Sequence, residues 1–201
     1  EVCEDITQDE LYEDMARQEA LSAAERGRMI TVKRAVEVDC SRGIPCNIER
    51  VKKLLSSGHK VYLISDMYMD EATLRQMLVK ADSIFANLPL YISGVCRMAK
   101  GTGNLYRYVQ RQESLDVFHW VHTGDNKQAD GERARELGIK TVYYNGAALT
   151  RRENVLVQRY ADRVDMQLRV GAIRWSRIVG PAMALDEWNE RPDEEALPYG
   201  I

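Results

Sequence analysis

Four polar residues follow buried segments that are predicted to be strands, and together they could hold an anionic group such as phosphate. Ser65 ends the apolar run KVYLIS, Lys100 follows the run LYIS, and Asp125 and Asp130 follow the run VFHWVH. Ligands collect at the carboxyl ends of the strands in an open parallel sheet, so we expect a hydroxyl, a cation and two carboxylates to converge there. The alternative is an ordinary polar rim of a sheet, where such residues only cap helices and turns.

The elements that must position these residues alternate between strand and helix. Short runs rich in β-forming residues are each followed by a segment with helical spacing. The predicted strands are 60–65, 90–93, 117–122 and 140–144, and the helices between them are 71–80, 103–112 and 128–137. Repeated units of this length predict an α/β fold with a doubly wound parallel sheet.

Helices are predicted before this α/β segment. Thr7 and Glu10 have the spacing of a capping box, which predicts a helix over residues 8–26 that stops near Gly27. Two more helices are predicted over 31–38 and over 47–58. Asn47 is the expected cap of the second of these.

Helices are also predicted after the α/β segment, with breaks at Gly171 and at Gly180-Pro181. The last residues are acidic, contain proline and are predicted to form a loose tail. The expected division is therefore a helical segment, an α/β core, a C-terminal helical extension and a tail, at 1–58, 59–146, 147–190 and 191–201.

Composition limits the classes of partner. The chain has 201 residues and a net charge of −3, from 28 basic and 31 acidic residues, and this near balance gives no support to binding of nucleic acid or of a membrane surface. No apolar run is long enough to span a bilayer. The four cysteines are irregularly spaced, so free thiols in a reducing compartment are expected, and the cytoplasm is the predicted location.

The stretches LISDMYM, KGTGNLY and HTGDNKQAD resemble the haloacid dehalogenase-like (HAD) superfamily of phosphohydrolases. The resemblance implies that Ser65 hydrogen-bonds a transferring phosphoryl group and that Lys100 neutralises its charge. It implies that Asp125 helps to hold Mg²⁺ and that Asp130 supports the lysine. This assignment is chemically consistent, because phosphoryl transfer needs positioned donors, a cation and a metal ion with few protein carboxylates.

The resemblance extends from about Ile6 to Trp188 and is strongest to a bacterial branch associated with glycosyltransferases of surface-polysaccharide pathways. It implies that residues 1–58 form the cap and that the substrate is a small phosphorylated molecule, with sugar phosphates suggested only by that association. A glycosyltransferase domain or partner is also implied. Trp175 and Trp188 are expected to be packing residues.

One signature of the superfamily has no counterpart in this sequence. The nucleophilic Asp belongs to a DxD segment at the end of a central strand, upstream of the cap. Asp39 follows alternating valines, but Ser41 replaces the second Asp and the segment up to Ser65 is short, so Asp39 is not expected to be the nucleophile. Without an attacking carboxylate no aspartyl-phosphate can form, and this chain alone is predicted to be inactive.

Two interpretations follow from this departure. In the first, the chain is a fragment of a longer phosphohydrolase whose central strand carries the DxD segment. In the second, it is a noncatalytic binding or accessory module that serves a glycosyltransferase. The residues encoded upstream of Glu1 would distinguish them.

Overall fold

The computed structural model describes residues 3–179 as a mixed α/β protein with many helices and short strands. The α-helices of this part of the chain are α1 (Gln8–Gln18), α2 (Ala23–Cys40), α3 (Pro45–Ser56), α4 (Glu71–Ala81), α5 (Ser93–Cys96), α6 (Asn104–Glu113), α7 (Ala134–Glu136), α8 (Arg151–Arg159) and α9 (Val164–Val179). The strands are β1 (Leu63–Ser65), β2 (Leu90–Ile92), β3 (Val121–Gly124) and β4 (Lys140–Tyr143).

These strands form two small parallel sheets. β1 pairs with β2, with Ser65 opposite Ile92, and β3 pairs with β4, with Gly124 opposite Tyr143. The predicted mixture of helices with parallel strands is therefore confirmed. A single doubly wound sheet is not seen among residues 3–179, where each strand has one paired edge.

The third strand begins later than the sequence predicted. Val117–His119 form a 3₁₀ turn, because the carboxylate of Asp116 accepts a hydrogen bond from Phe118 N and caps that turn. β3 starts at Val121 and ends at Gly124, so Asp125 directly follows the strand. The predicted helix over 128–137 is also different, since it is a π-helix over Lys127–Arg133 followed by α7.

The N-terminal helices also differ from their prediction. The capping box of Thr7 is confirmed, but α1 ends at Gln18, and Ala20 has a left-handed φ of 52° between α1 and α2. A second capping box at Ser22 starts α2, and Gly27 lies inside that helix. The separate helix predicted over 31–38 is therefore wrong.

Three smaller predictions can be compared with the structure. α3 begins at Pro45 with Ile44 as its N-cap, so the predicted cap at Asn47 is wrong. Gly171 lies inside α9 and does not break it. The predicted break at Gly180-Pro181, Trp188 and the tail lie outside the described residues.

The core is centred on α6. Leu105, Tyr106 and Val109 on one face of this helix are fully buried. They form a cluster with residues around β3 and β4, and with partly buried residues of β1 and β2: Trp120, Ala134, Ile139, Ile64 and Tyr91. Burial of each large apolar side chain contributes roughly 1.5–3 kcal/mol. α6 thus attaches one sheet to the other.

All four cysteines are unpaired, as the sequence predicted. Within residues 3–179, no helix combines the length and the apolar character needed to cross a membrane.

Candidate functional site

Lys100 connects the carboxyl ends of β1 and β3. Its backbone N–H donates to Oδ1 of Asp66, the residue after Ser65, at 3.0 Å. Its Nζ donates to Oδ1 of Asp130, in the helix that follows β3, at 2.6 Å. Lys100 therefore contacts both Asp66, just after the end of β1, and Asp130, after β3. We call the region around these three residues the site edge.

Asp130 is almost fully buried, with 4% of the residue exposed. It lies in the π-helix, whose N-cap Asn126 accepts hydrogen bonds from Gln128 N and Ala129 N through its side chain. In return, Asn126 N donates to Oδ2 of Asp130 at 3.0 Å. π-Helices are rare and are frequently found at functional sites.

Gly124 is required by the close approach of Asp130. A Cβ atom on Gly124 would lie 2.3 Å from Cγ of Asp130, well inside van der Waals contact. The carboxylate thus packs against the bare backbone at the end of β3. This contact explains, for this chain, the spacing between the glycine and the second aspartate in the sequence GDNKQAD.

Two further residues reach Asp130 from the core. Nε2 of His122 lies 3.0 Å from Oδ1 of Asp130. The hydroxyl of Tyr106 lies 3.1 Å from Nε2 of His122, 3.1 Å from the carbonyl oxygen of Ala129 and 3.3 Å from Oδ1 of Asp130. All of these groups are buried, so the site edge has a hydrogen-bonded support beneath it.

Sequence analysis did not predict His122 or Tyr106 as site residues. A usable signal was present for His122, because it precedes Gly124 by two positions and alternate residues of a strand lie on the same face. Tyr106 gave no such signal, since it belongs to the apolar stripe of α6. His119, the other histidine of the predicted strand, is exposed in the 3₁₀ turn, where Nδ1 lies 2.7 Å from Asp116.

The electrostatic surroundings keep Asp130 ionised. Burial alone would raise the pKa of its carboxyl, but hydrogen bonds from His122, Lys100 and Asn126 N outweigh burial and hold the pKa well below its usual range. Burial also raises the pKa of the Tyr106 phenol, so that group stays neutral. Lys100 and Asp130 therefore form an ion pair with 12% and 4% of their side chains exposed.

Asp125 and Ser65 have fewer contacts than Asp130. Asp125 is exposed directly after β3, and its carboxylate has no hydrogen bond or ion pair within residues 3–179. The Ser65 hydroxyl is likewise without a hydrogen bond in that part of the chain. Asp125 is exposed to solvent, and Ser65 is half-buried.

Asp66 is a third carboxylate at the site edge. Partial desolvation raises its pKa, and the charges of Asp5 and Asp130 act in the same direction. The described residues contain no cluster of three or more ligating side chains that would form a closed metal site. An exposed carboxylate with room for water does fit Mg²⁺, which is commonly held by one or two protein carboxylates together with water and substrate oxygens.

The N-terminal segment supports the loop that carries Lys100. One carboxylate oxygen of Glu4 accepts from Ala99 N at 2.9 Å and from the Thr102 hydroxyl at 2.7 Å. The other accepts from the Asn104 side chain at 2.6 Å. These hydrogen bonds, with that from Ala99 N the largest contribution, lower the pKa of Glu4.

Comparisons of this chain with protein-family models and with curated proteins found no match.

Proposed function

We propose that this chain is part of a Mg²⁺-dependent phosphohydrolase of the HAD type that acts on a small phosphate monoester, with sugar phosphates as the suggested class. The observation that carries the proposal is the position of Lys100, which joins Asp66 after β1 to Asp130 after β3. A fixed cation at the carboxyl ends of parallel strands is suited to a phosphoryl group.

Each site residue would have a separate role in binding the phosphoryl group or the metal ion. The Lys100 ammonium neutralises phosphoryl oxygens and is kept in place by Asp130. The Ser65 hydroxyl donates a hydrogen bond to the same group. Asp125 would hold Mg²⁺, and Asp66 is a further carboxylate at the site edge. When bound, the metal ion supplies charge neutralisation at the phosphoryl oxygens.

The attacking carboxylate would come from a strand outside the described residues. Asp39 is a poor candidate, because it lies in the last turn of α2 and not at the end of a strand. β1 and β3 each have one paired edge among residues 3–179, and this division into two sheets is consistent with a strand that pairs with both. We propose that this strand carries the nucleophilic aspartate.

The proposal is tested by calorimetric titration of the chain with Mg²⁺ and inorganic phosphate, and by an assay with an aryl phosphate. We expect weak Mg²⁺ binding that Asp125→Asn reduces, and no turnover, because the nucleophile is missing. Asp162→Asn is the matched control, since Asp162 is an exposed aspartate in the turn between α8 and α9.

Three results would contradict the proposal. Tight Mg²⁺ binding would mean that the metal site is complete without a further strand. Turnover abolished by Asp39→Asn would identify Asp39 as the nucleophile. If phosphate does not bind, with or without Mg²⁺, the chain would instead be a noncatalytic accessory module of the kind that could serve a glycosyltransferase.

A further inference from the structure

We propose that His122 is a positioning residue, which fixes the carboxylate of Asp130 through an Nε2–H donor and thereby orients the Lys100 ammonium. The inference deepens the proposed function and rests on it for the identity of the anion. The geometric argument itself needs only the contacts of the buried network.

The first step is the position of the proton on His122. A deprotonated Nε2 would place its lone pair against Oδ1 of ionised Asp130 at 3.0 Å, which is repulsive. Nε2 therefore carries the proton and donates to Asp130. The phenolic proton of Tyr106 then goes to the carbonyl oxygen of Ala129 at 3.1 Å, and the Tyr106 oxygen faces the Nε2–H.

The second step is that this donor fixes the carboxylate. Asn126 N holds Oδ2 at 3.0 Å, while His122 holds Oδ1 at 3.0 Å. With one donor on each oxygen, the carboxyl plane cannot rotate without the loss of a buried hydrogen bond. Nζ of Lys100 also donates to Oδ1, at 2.6 Å.

The third step is that the core packs around the His122 ring. It lies on β3 and is 8% exposed. Its ring meets the ring of Tyr106 edge to face, with centroids 5.0 Å apart, and Tyr106 meets Trp120 in the same way at 6.0 Å. Such aromatic pairs favour one geometry. The core around α6 thus holds the imidazole, the imidazole holds Asp130, and Asp130 holds Lys100.

A matched pair of variants tests the inference. The amide nitrogen of His122→Gln can occupy the position of Nε2, whereas that of His122→Asn is one methylene shorter and cannot reach Asp130. We expect the affinity of His122→Gln for inorganic phosphate to be within about twofold of that of the unmodified chain. The affinity of His122→Asn for inorganic phosphate should be about tenfold lower, since a buried hydrogen bond to a charged group is removed.

A second readout does not depend on phosphate. The buried, hydrogen-bonded Lys100 ammonium should give a slowly exchanging side-chain signal in nitrogen-15 NMR, assigned by its loss in Lys100→Met. We expect the signal to persist in His122→Gln and to weaken in His122→Asn. Thermal unfolding shows whether both variants fold.

The outcomes separate the two proposals. If phosphate fails to bind the unmodified chain or binds Lys100→Met equally well, the proposed function is wrong, and the ammonium signal alone decides the role of His122. If His122→Gln and His122→Asn give the same ammonium signal as the unmodified chain, His122 only packs and the inference is wrong.

Discussion

At the scale of single residues, the site edge depends on a contact between a glycine and a carboxylate. Asp130 can reach Lys100 and His122 because the backbone of Gly124 leaves room for its carboxyl group. A side chain at position 124 would push the carboxylate away from both partners. Its buried charge would then be less well compensated.

Gly124→Ala is therefore expected to destabilise the protein by about 1–3 kcal/mol, as overpacking of a dense interior does. It should also reduce the affinity for phosphate, because Lys100 loses its fixed partner. The measurements are denaturant unfolding and calorimetry.

The control for this change is Gly131→Ala in the same π-helix, where a new Cβ would meet Arg135 at an ordinary 3.7 Å. Alanine favours helix more than glycine does, so this variant should be neutral or slightly stabilised. Equal destabilisation by both changes would show that the cost is not specific to the contact with Asp130.

The sequence predicts the charged residues of the site better than the buried residues beneath them. It predicts that Lys100 and Asp130 converge at the edge of one sheet, and Nζ of Lys100 does donate to Asp130, although the strands that precede them lie in two separate sheets. Tyr106 could not be predicted, since its hydroxyl projects from a helix face that is otherwise apolar. Which polar atoms meet inside a core depends on helix packing, which local spacing does not encode.

At the scale of elements, α8 and α9 are joined by a buried ion pair. Arg177 on α9 donates through two nitrogens to the two oxygens of Glu153 on α8, at 3.1 and 3.0 Å. Both side chains are 2% exposed. Arg177 also donates to the carbonyl oxygens of Gly146 and Ala148, and so ties the loop after β4 to both helices.

Arg177→Ala should cost about 3–5 kcal/mol, because it leaves the buried carboxylate of Glu153 without a counter-charge. Arg174→Ala is the matched control, since Arg174 lies one turn earlier on α9 and donates to the single carbonyl oxygen of Ala147. Arg174→Ala should lower the free energy of unfolding by a clearly smaller amount, as measured by denaturant unfolding. Comparable losses from the two variants would contradict the role given to the ion pair.

The helix boundaries show what the sequence could and could not predict at this scale. The predicted capping box at Thr7 marks a true helix start, because it satisfies backbone groups locally. The capping box at Ser22, which starts α2, was not predicted. The sequence predicts helix ends at Gly27 and Gly171, but both residues lie within helices. A glycine weakens a helix by only about 1 kcal/mol, and tertiary packing can exceed that cost.

At the scale of the whole molecule, two sheets share one core helix. α6 contributes Leu105, Tyr106 and Val109 to a cluster that touches β1 and β2 on one side and the surroundings of β3 and β4 on the other. Since β1–β2 and β3–β4 form separate sheets, the two are linked by side-chain packing and by the hydrogen bonds of Lys100.

Leu105→Ala should therefore destabilise both sheets, by about 2–5 kcal/mol for a fully buried leucine. Amide hydrogen exchange should show lower protection in β2 and in β4. Leu54→Ala is the control, because Leu54 on α3 is 38% exposed and should change protection little. Loss of protection confined to one sheet would show that the two unfold independently.

The hydrogen bonds of Glu4 have a consequence for how this sequence can diverge. Three donors around the Lys100 loop, Ala99 N and the side chains of Thr102 and Asn104, depend on one carboxylate nearly a hundred positions away. Loss of the acid at position 4 would remove one acceptor of Thr102 and Asn104, and their loss would leave the acid with only the hydrogen bond from Ala99 N. Substitutions at the three positions should therefore be selected together, so that drift near the start of the chain is matched by change in a loop beside the candidate site.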